Sequence, residues 1–185
     1  MSVTQQVGMF LVETLLSLYI SAIVLRFLLG YARADFYNPL SQFLVKITNP
    51  VLVPVRRFIP AIGKLDTSAV VVALVLNLIK AVLLVSLVGV SVGLVPLLFL
   101  AVGELVRSII WMYIIALLLM AVISWIGSSH GNPVVPLINS LTAPLLQPVR
   151  QRLPPVGMLD LSPMVVMIGL YVLLIIVNGV FPRLL

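Results

Sequence analysis

Glu13, Lys80 and Arg107 each interrupt a run of otherwise apolar residues. An ionised side chain inside such a run is costly in lipid, so it faces a bundle interior or a water-filled cavity and finds a partner there. Glu13, Ser17 and Ser21 recur every four residues, and Ala73, Asn77 and Lys80 share a helical face in the same way. Two chemistries suit such a set. One is a structural ion pair, with Glu13 and Lys80 the expected partners. Arg107 competes for Glu13 but is also served by Glu104 three residues earlier. The other is a proton relay or a route for an ion. A second set is Asp66-x-Ser68 and Asp160-x-Ser162, each just ahead of an apolar run. There Ser68 and Ser162 suit helix N-caps and the aspartates suit the positive helix ends. A cation site made by the two aspartates is the sharper alternative. A clasp from Asp66 to Arg56, or from Asp160 to Arg150, fits both.

Most enzyme chemistry is excluded by what the chain lacks. It has no cysteine, hence no disulfide, thiolate metal site or cysteine nucleophile. Its one histidine, His130, lies in a Ser-Ser-His-Gly-Asn stretch and reads as a polar loop residue. No nucleophile, base and acid can be assembled, and there is no glycine-rich phosphate loop. No catalytic residue, cofactor, metal or nucleic-acid partner is expected.

The elements that position these charges are set by composition. Of 185 residues, 62% are hydrophobic and 9% charged, with a formal charge of +6 and a mean hydropathy of +1.28. A soluble domain is about a quarter charged, so this composition demands a bilayer as solvent. Four apolar runs meet the ~20 residues that a spanning helix needs. They lie at about 8–29 (interrupted by Glu13 and Arg26), 68–90, 104–126 and 163–181. No basic start or small-residue cleavage site marks the first run as a signal peptide, so it is expected to be retained. Ser91 to Gly103 is apolar but carries Gly93 and Pro96, with Gly89 just ahead of it. It reads as a tight turn plus a short interfacial segment, with a longer, tilted second helix as the alternative. Gly89-x-x-x-Gly93 could also serve as a helix-packing motif. Trp111, Trp125 and Tyr31 read as interfacial aromatics.

Two proline-rich stretches, 32–67 and 127–162, hold most of the basic residues. They match each other at a constant offset of 94. Asn38-Pro39 falls on Asn132-Pro133. Thr48, Pro50, Leu52, Pro54, Val55 and Arg56 fall on Thr142, Pro144, Leu146, Pro148, Val149 and Arg150. Pro60, Gly63, Leu65, Asp66 and Ser68 fall on Pro154, Gly157, Leu159, Asp160 and Ser162. With Val71 and Val72, 15 of the 35 positions from 38 to 72 are identical to their counterparts. Apolar bias could not align prolines, a glycine and an aspartate, so the chain is a tandem duplication, 1–93 and 94–185. Each unit has two spans, so both copies enter the membrane in the same direction, as parallel repeats about a pseudo-twofold axis.

The first stretch holds Arg33, Lys46, Arg56, Arg57 and Lys64, the second Arg150 and Arg152, and Ser91 to Gly103 none. The positive-inside rule therefore puts both proline-rich stretches in the cytoplasm and both termini outside, with Arg183 counting weakly against this. Between Leu40 and Ile59 apolar residues recur at helical spacing, but Pro50 and Pro54, like Pro144 and Pro148, forbid one regular helix. Thr48 or Asn49 suits the cap of a second short helix. The expected object is a broken amphipathic helix in the interface, with Arg56, Arg57, Arg150 and Arg152 facing anionic lipid headgroups. A docking surface for a protein partner and a re-entrant segment lining a pathway are the alternatives.

The run Asn-Pro, then Thr-x-Pro-x-Leu-x-Pro-Val-Arg, then Pro-x-x-Gly-x-Leu-Asp-x-Ser entering a span, resembles the repeat of the YggT family. The resemblance covers nearly the whole chain and the motif occurs twice. It implies an all-α, multi-pass protein of the bacterial inner membrane, with chloroplast relatives. It also implies links to osmotic-stress tolerance and ion homeostasis, to neighbourhood with cell-division genes, and in plastids to cytochrome b haem assembly. Implied partners are the bilayer itself, membrane or cell-division proteins, and further copies of the chain. The copies differ where Gln151-Arg152 replaces Arg57-Phe58 and Ser140 replaces Lys46. The expected role is a non-enzymatic scaffold, assembly or stress-homeostasis factor, with an ion channel or transporter component as the alternative. Four spans make a small pore wall, so transport would call for oligomers.

Overall fold

The computed structural model describes residues 2–126, 132–153 and 160–181. His130, Pro154, Gly157, Leu159 and Arg183, and the side chain of Trp125, lie outside the described residues. Six helices follow in order: α1 Val3–Tyr31, α2 Pro39–Arg56, α3 Thr67–Val88, α4 Leu94–Ile126, α5 Val134–Arg150 and α6 Ser162–Val180. Among the described residues there is no strand, only an isolated bridge between Ile62 and Leu65. Helices α1, α3, α4 and α6 are long and apolar enough to cross a membrane. Their 29, 22, 33 and 19 residues correspond to ~43, ~33, ~50 and ~28 Å at 1.5 Å per residue. A hydrocarbon core is ~30 Å thick, so α1 and α4 must tilt or project beyond it.

The junction between the copies differs from the expectation. Ser91 to Gly103 is neither a turn with an interfacial segment nor an extension of the second span: α4 begins at Leu94 and runs through it. Gly89 ends α3 in the left-handed conformation, φ 78°, which glycine adopts without a Cβ clash. Pro96 falls in the first turn of α4, where its missing N–H has no intrahelical partner to lose. The glycines at 89 and 93 therefore punctuate a short joint and do not form a packing motif within one helix. Trp111 lies near the midpoint of α4, stacked edge-on to Tyr171 at 6.4 Å.

The amphipathic segments are also more regular than expected. Each of α2 and α5 is one continuous helix with two prolines inside, Pro50 and Pro54 in one and Pro144 and Pro148 in the other. The threonine two residues before the first proline accounts for this. Thr48 donates to the Leu44 carbonyl (2.6 Å) and Thr142 to that of Ile138 (2.8 Å), a back-bond that tolerates a bend. In α2, donors from α1 also reach the weakened turn: Tyr19 to the Ile47 carbonyl (3.2 Å) and Arg26 to that of Val45 (3.4 Å). Neighbouring side chains thus hold the turn ahead of Pro50 against α1.

The duplication is visible in the core. Ile20 and Ile114, Ile23 and Leu117, Thr48 and Thr142, Leu52 and Leu146, Ser68 and Ser162, and Val72 and Val166 are buried pair by pair. Within each copy the first span packs on the second, α1 on α3 and α4 on α6, with the amphipathic helix against both. The copies join through α3–α4 and through α1 with α4 and α5. Asn38 adds a polar link, its Nδ2 donating to the Pro133 carbonyl at 2.6 Å. The two Asn-Pro motifs therefore meet across the repeat. Each asparagine also accepts a backbone N–H two residues on, from Leu40 or Val134, at 3.0 Å.

Candidate functional site: two clefts at opposite ends of the bundle

Near the Gly89 end, a cleft of about 390 Å³ opens between α1, α3 and α4. Glu13, Lys80, Glu104 and Arg107 all line it, so four charges of zero net sum share one space. The pairing expected between Glu13 and Lys80 is not formed. Among the described residues Glu13 has no ion pair within 4 Å, and it is exposed. Lys80 is buried and reaches Glu104 instead, at 3.6 Å, while donating to the Ser17 hydroxyl at 3.2 Å. Glu104 becomes reachable because α4 begins ten residues earlier than expected, which leaves Glu104 inside the span and facing α3.

Glu104 serves a second cation. Arg107 donates to it through Nη2 (2.8 Å) and Nε (3.1 Å), the expected i,i+3 contact. Arg107 Nη1 also donates to the Phe181 carbonyl at 2.9 Å, tying the end of α6 to α4. That end comes close because position 103 is glycine: a Cβ there would sit 2.5 Å from the Phe181 Cβ. Phe99 stacks on Phe181 at 4.5 Å in the same corner. Asn77, also in the cleft, donates to the Ala73 carbonyl (3.0 Å). Its Oδ1 is buried with no hydrogen-bond partner among the described residues.

At the other end, a cleft of about 900 Å³ lies between the last turns of α1, the helix α2 and the loop before α3. Arg26, Lys46, Arg56 and Lys64 line it against one acid, Asp66. Arg56 and Asp66 form the expected clasp, and Arg150 and Asp160 repeat it in the second copy at 2.8 Å. In the first copy the aspartate takes the capping work expected of the serine, while α6 has Leu161 at its N-cap and no side-chain cap bond. Asp66 is the N-cap of α3 and accepts from the Ala69 N–H (3.3 Å) and from the Ser68 hydroxyl. Asp160 accepts the Ser162 N–H at 2.9 Å. Burial alone would raise the Asp66 pKa, but hydrogen bonds from Arg56 and Ser68, the Arg56 charge and the Ala69 N–H hold it below its ordinary value. Asp160 is held low in the same way: slight burial opposes, and bonds from Ser162 and Arg150 prevail. Each aspartate is thus committed within its own copy, which leaves the two-aspartate cation site without ligands.

The remaining basic positions are peripheral. Arg57 is the C-cap of α2, Arg152 follows α5, and both are exposed. Pro39 opens α2, and Pro133 precedes α5. Arg26, which the sequence marks only as an interruption of the first span, proves central to this end. It is buried, and its Nη1 donates to the Thr48 hydroxyl at 2.6 Å. At offset 94 its counterpart is Met120, and there Thr142 meets the Met120 sulfur at 3.7 Å. A charge present in one copy and replaced by methionine in the other is the signal that points to it.

The comparisons with known proteins agree with this architecture. The CCB3/YggT family model matches the chain twice, over residues 5–87 and 99–181. "Uncharacterized protein YggT" of Escherichia coli (strain K12) is 39% identical over 166 residues, 89% of this chain and 85% of its own length. "Uncharacterized protein in proC 3'region" of Vibrio alginolyticus is 41% identical over 164 residues, 87% of this chain and 88% of its own. "Uncharacterized protein PA0392" of Pseudomonas aeruginosa is 37% identical over 175 residues, 93% and 89% of the two chains. No solved structure matches the chain. With a duplicated family match spanning both copies and relatives aligned over most of their length, this chain belongs to the CCB3/YggT family.

Proposed function

We propose that the chain is a non-enzymatic scaffold of the bacterial inner membrane, an assembly or stress-homeostasis factor whose working surface is the pair α2 and α5 at the cytoplasmic face. The observation that carries this is how firmly both amphipathic helices are held. Each buries a threonine and a leucine in the bundle, Thr48 with Leu52 and Thr142 with Leu146. Each is clasped to the following span by an Arg–Asp pair. Their first residues meet through Asn38 and the Pro133 carbonyl. Helices fixed so rigidly present their outer faces, with Arg57, Phe58 and Arg152 exposed, in one defined geometry. That suits recognition by lipid headgroups or a membrane partner.

The four-charge cleft favours a second reading, a component of an ion channel or transporter. Against it, Ile20, Ile23, Val24, Ala69 and Ala73 are all at most 2% exposed and lie between the two clefts. A polar route within one chain has to break that packing. One experiment separates the readings. A strain lacking the protein is scored for osmotic tolerance after complementation, and the purified chain is assayed for ion flux in liposomes. Replacing Arg56, Arg57, Arg150 and Arg152 by glutamate should abolish complementation while the chain still inserts. Lys80→Met should leave complementation intact. Flux from the wild type that Lys80→Met abolishes would overturn the scaffold reading.

A further inference from the structure

The basic cleft of the first copy holds a buried charge with no carboxylate in contact among the described residues. Arg26 is only 7% exposed, yet among the described residues no carboxylate lies within 4 Å of it. The nearest acid on the cleft wall, Asp66, is bound by Arg56 and Ser68. Arg26 uses Nη1 on Thr48 and Val45, which leaves three of the five guanidinium N–H donors, on Nε and Nη2. Lys46, Arg56 and Lys64 add three more cations on the same wall, against the single acid. Gln42 and Asn49 supply neutral donors, while Phe27 and Tyr31 give the cleft an apolar side. A buried cation with neutral hydrogen-bond partners and no contacting anion is unfavourable. Converging arginine and lysine donors answer one ligand chemistry best, that of a phosphate oxyanion.

We propose that this cleft binds a phosphate group, carried by an anionic membrane lipid. The lipid source follows from the apolar wall and from position: Arg26 lies five residues before the end of α1, ~7 Å inside the span at 1.5 Å per residue, where headgroup meets acyl chain. The site is single. In the second copy Met120 replaces Arg26 and Ser140 replaces Lys46, so the duplication supplies its own internal control. The proposal rests on the scaffold reading only in placing α2 at headgroup level.

The test uses the purified full chain in micelles, titrated separately with phosphatidylglycerol, phosphatidylcholine and inorganic phosphate, with bound adducts read by native mass spectrometry. Phosphatidylglycerol should bind in preference to phosphatidylcholine. Arg26→Met and Lys46→Ser, the residues the second copy carries, should each weaken it by about tenfold, the scale of one charged hydrogen bond. Lys46 is exposed, so Lys46→Ser keeps the test meaningful if Arg26→Met misfolds. Arg33→Asn, at an exposed position off the cleft wall, should change nothing. Binding of inorganic phosphate with the same loss in the variants, and no preference among lipids, would overturn the lipid source and leave a soluble phosphate ligand. Equal binding of both lipids by wild type and variants, with no phosphate bound, would overturn the site. Binding is read on isolated protein carrying Arg26→Met or Lys46→Ser, so the lipid site stands or falls apart from the complementation result of the four-glutamate variant, which also replaces Arg56 of the cleft.

Discussion

Substituting Glu104 should destabilise this protein more than substituting Lys80 or Glu13. Glu104 is the shared anion of two cations, Lys80 at 3.6 Å and Arg107 at 2.8 Å. With an effective dielectric near 20, those separations give gross attractions of about 5 and about 6 kcal/mol, most of which desolvation offsets. The net cost of a substitution therefore depends on what it leaves unpaired. Glu104→Gln removes the ion-pair partner of both cations, and both are buried, at 8% and 4% exposure. Removing one partner of a buried pair typically costs 3–5 kcal/mol; with the Glu104 side chain 31% exposed, about 3 kcal/mol is expected. Lys80→Met leaves Glu104 still held by Arg107 and should cost about 1 kcal/mol or less.

Glu13→Gln should cost no more than about 0.5 kcal/mol, since Glu13 is exposed and has no ion pair among the described residues. The double variant Lys80→Met with Glu104→Gln strands one cation fewer than Glu104→Gln alone. It should thus fall short of the summed losses by about 1 kcal/mol or more. The assay is equilibrium unfolding in mixed micelles, followed by tryptophan fluorescence. If Glu104→Gln costs no more than Lys80→Met, or if a Glu13–Lys80 cycle shows the larger coupling, the assignment of Glu104 as the shared anion is wrong.

Gly103→Ala should destabilise by about 1–3 kcal/mol through overpacking against the Phe181 Cβ 2.5 Å away, and adding Phe181→Ala should recover much of it in the same assay. Asn38→Ala removes both the cap of α2 and the bond to the Pro133 carbonyl, whereas the Asn132 side chain makes the cap bond alone; it should cost about 1–2 kcal/mol and Asn132→Ala roughly half that. Because the folded-state pKa of Asp66 is depressed, its clasp stabilises above the ordinary carboxylate pKa and is lost as pH falls through the lower folded value. Thermal unfolding scanned downward from neutral pH should lose stability there, less steeply in Asp66→Asn. The chain has no cysteine, so Phe58→Cys and Ser91→Cys, both at exposed positions, report topology directly. With an impermeant thiol reagent on intact cells, Ser91→Cys should label and Phe58→Cys should not; the reverse would invert the orientation.

What was legible in the sequence is what repeats. Offset 94 aligned Thr48 with Thr142 and Arg56 with Arg150, and those residues do the same work in both copies: a threonine back-bond ahead of a proline, and an arginine clasp on the next span's aspartate. The continuity of α2 was not legible, because proline predicts a break when only its own helix is considered. Tyr19 and Arg26, 28 and 19 residues before their acceptors, tie the turn ahead of Pro50 to α1. The start of α4 at Leu94 is not legible for a related reason. Pro96 breaks a helix in mid-run but opens one in its first turn, and apolar composition around it does not distinguish the cases. That ambiguity hides Glu104 as a partner for Lys80 and leaves Glu13 as the nearest acid to consider.

The two copies diverge where the clefts are. Positions that tie each copy together are kept, as in Thr48/Thr142, Leu52/Leu146, Arg56/Arg150 and Asp66/Asp160. Positions whose side chains line the clefts are often not. Arg26 stands opposite Met120, Lys46 opposite Ser140, Glu13 opposite Arg107, Asn77 opposite Tyr171 and Lys80 opposite Leu174. A site on the pseudo-twofold axis would need equal contributions from both halves, and these residues cannot supply them. The cleft-lining charges therefore occur once per molecule, on a frame built twice. Restoring symmetry is then a sharper probe than deletion. Met120→Arg with Ser140→Lys places the first copy's cations on the second copy's frame, where Thr142 waits in the position of Thr48. If the frame alone defines the phosphate cleft, that variant should bind phosphatidylglycerol with two sites where the wild type has one. A single site would show that the loop carrying Lys64, which faces Met158 in the alignment, is required as well.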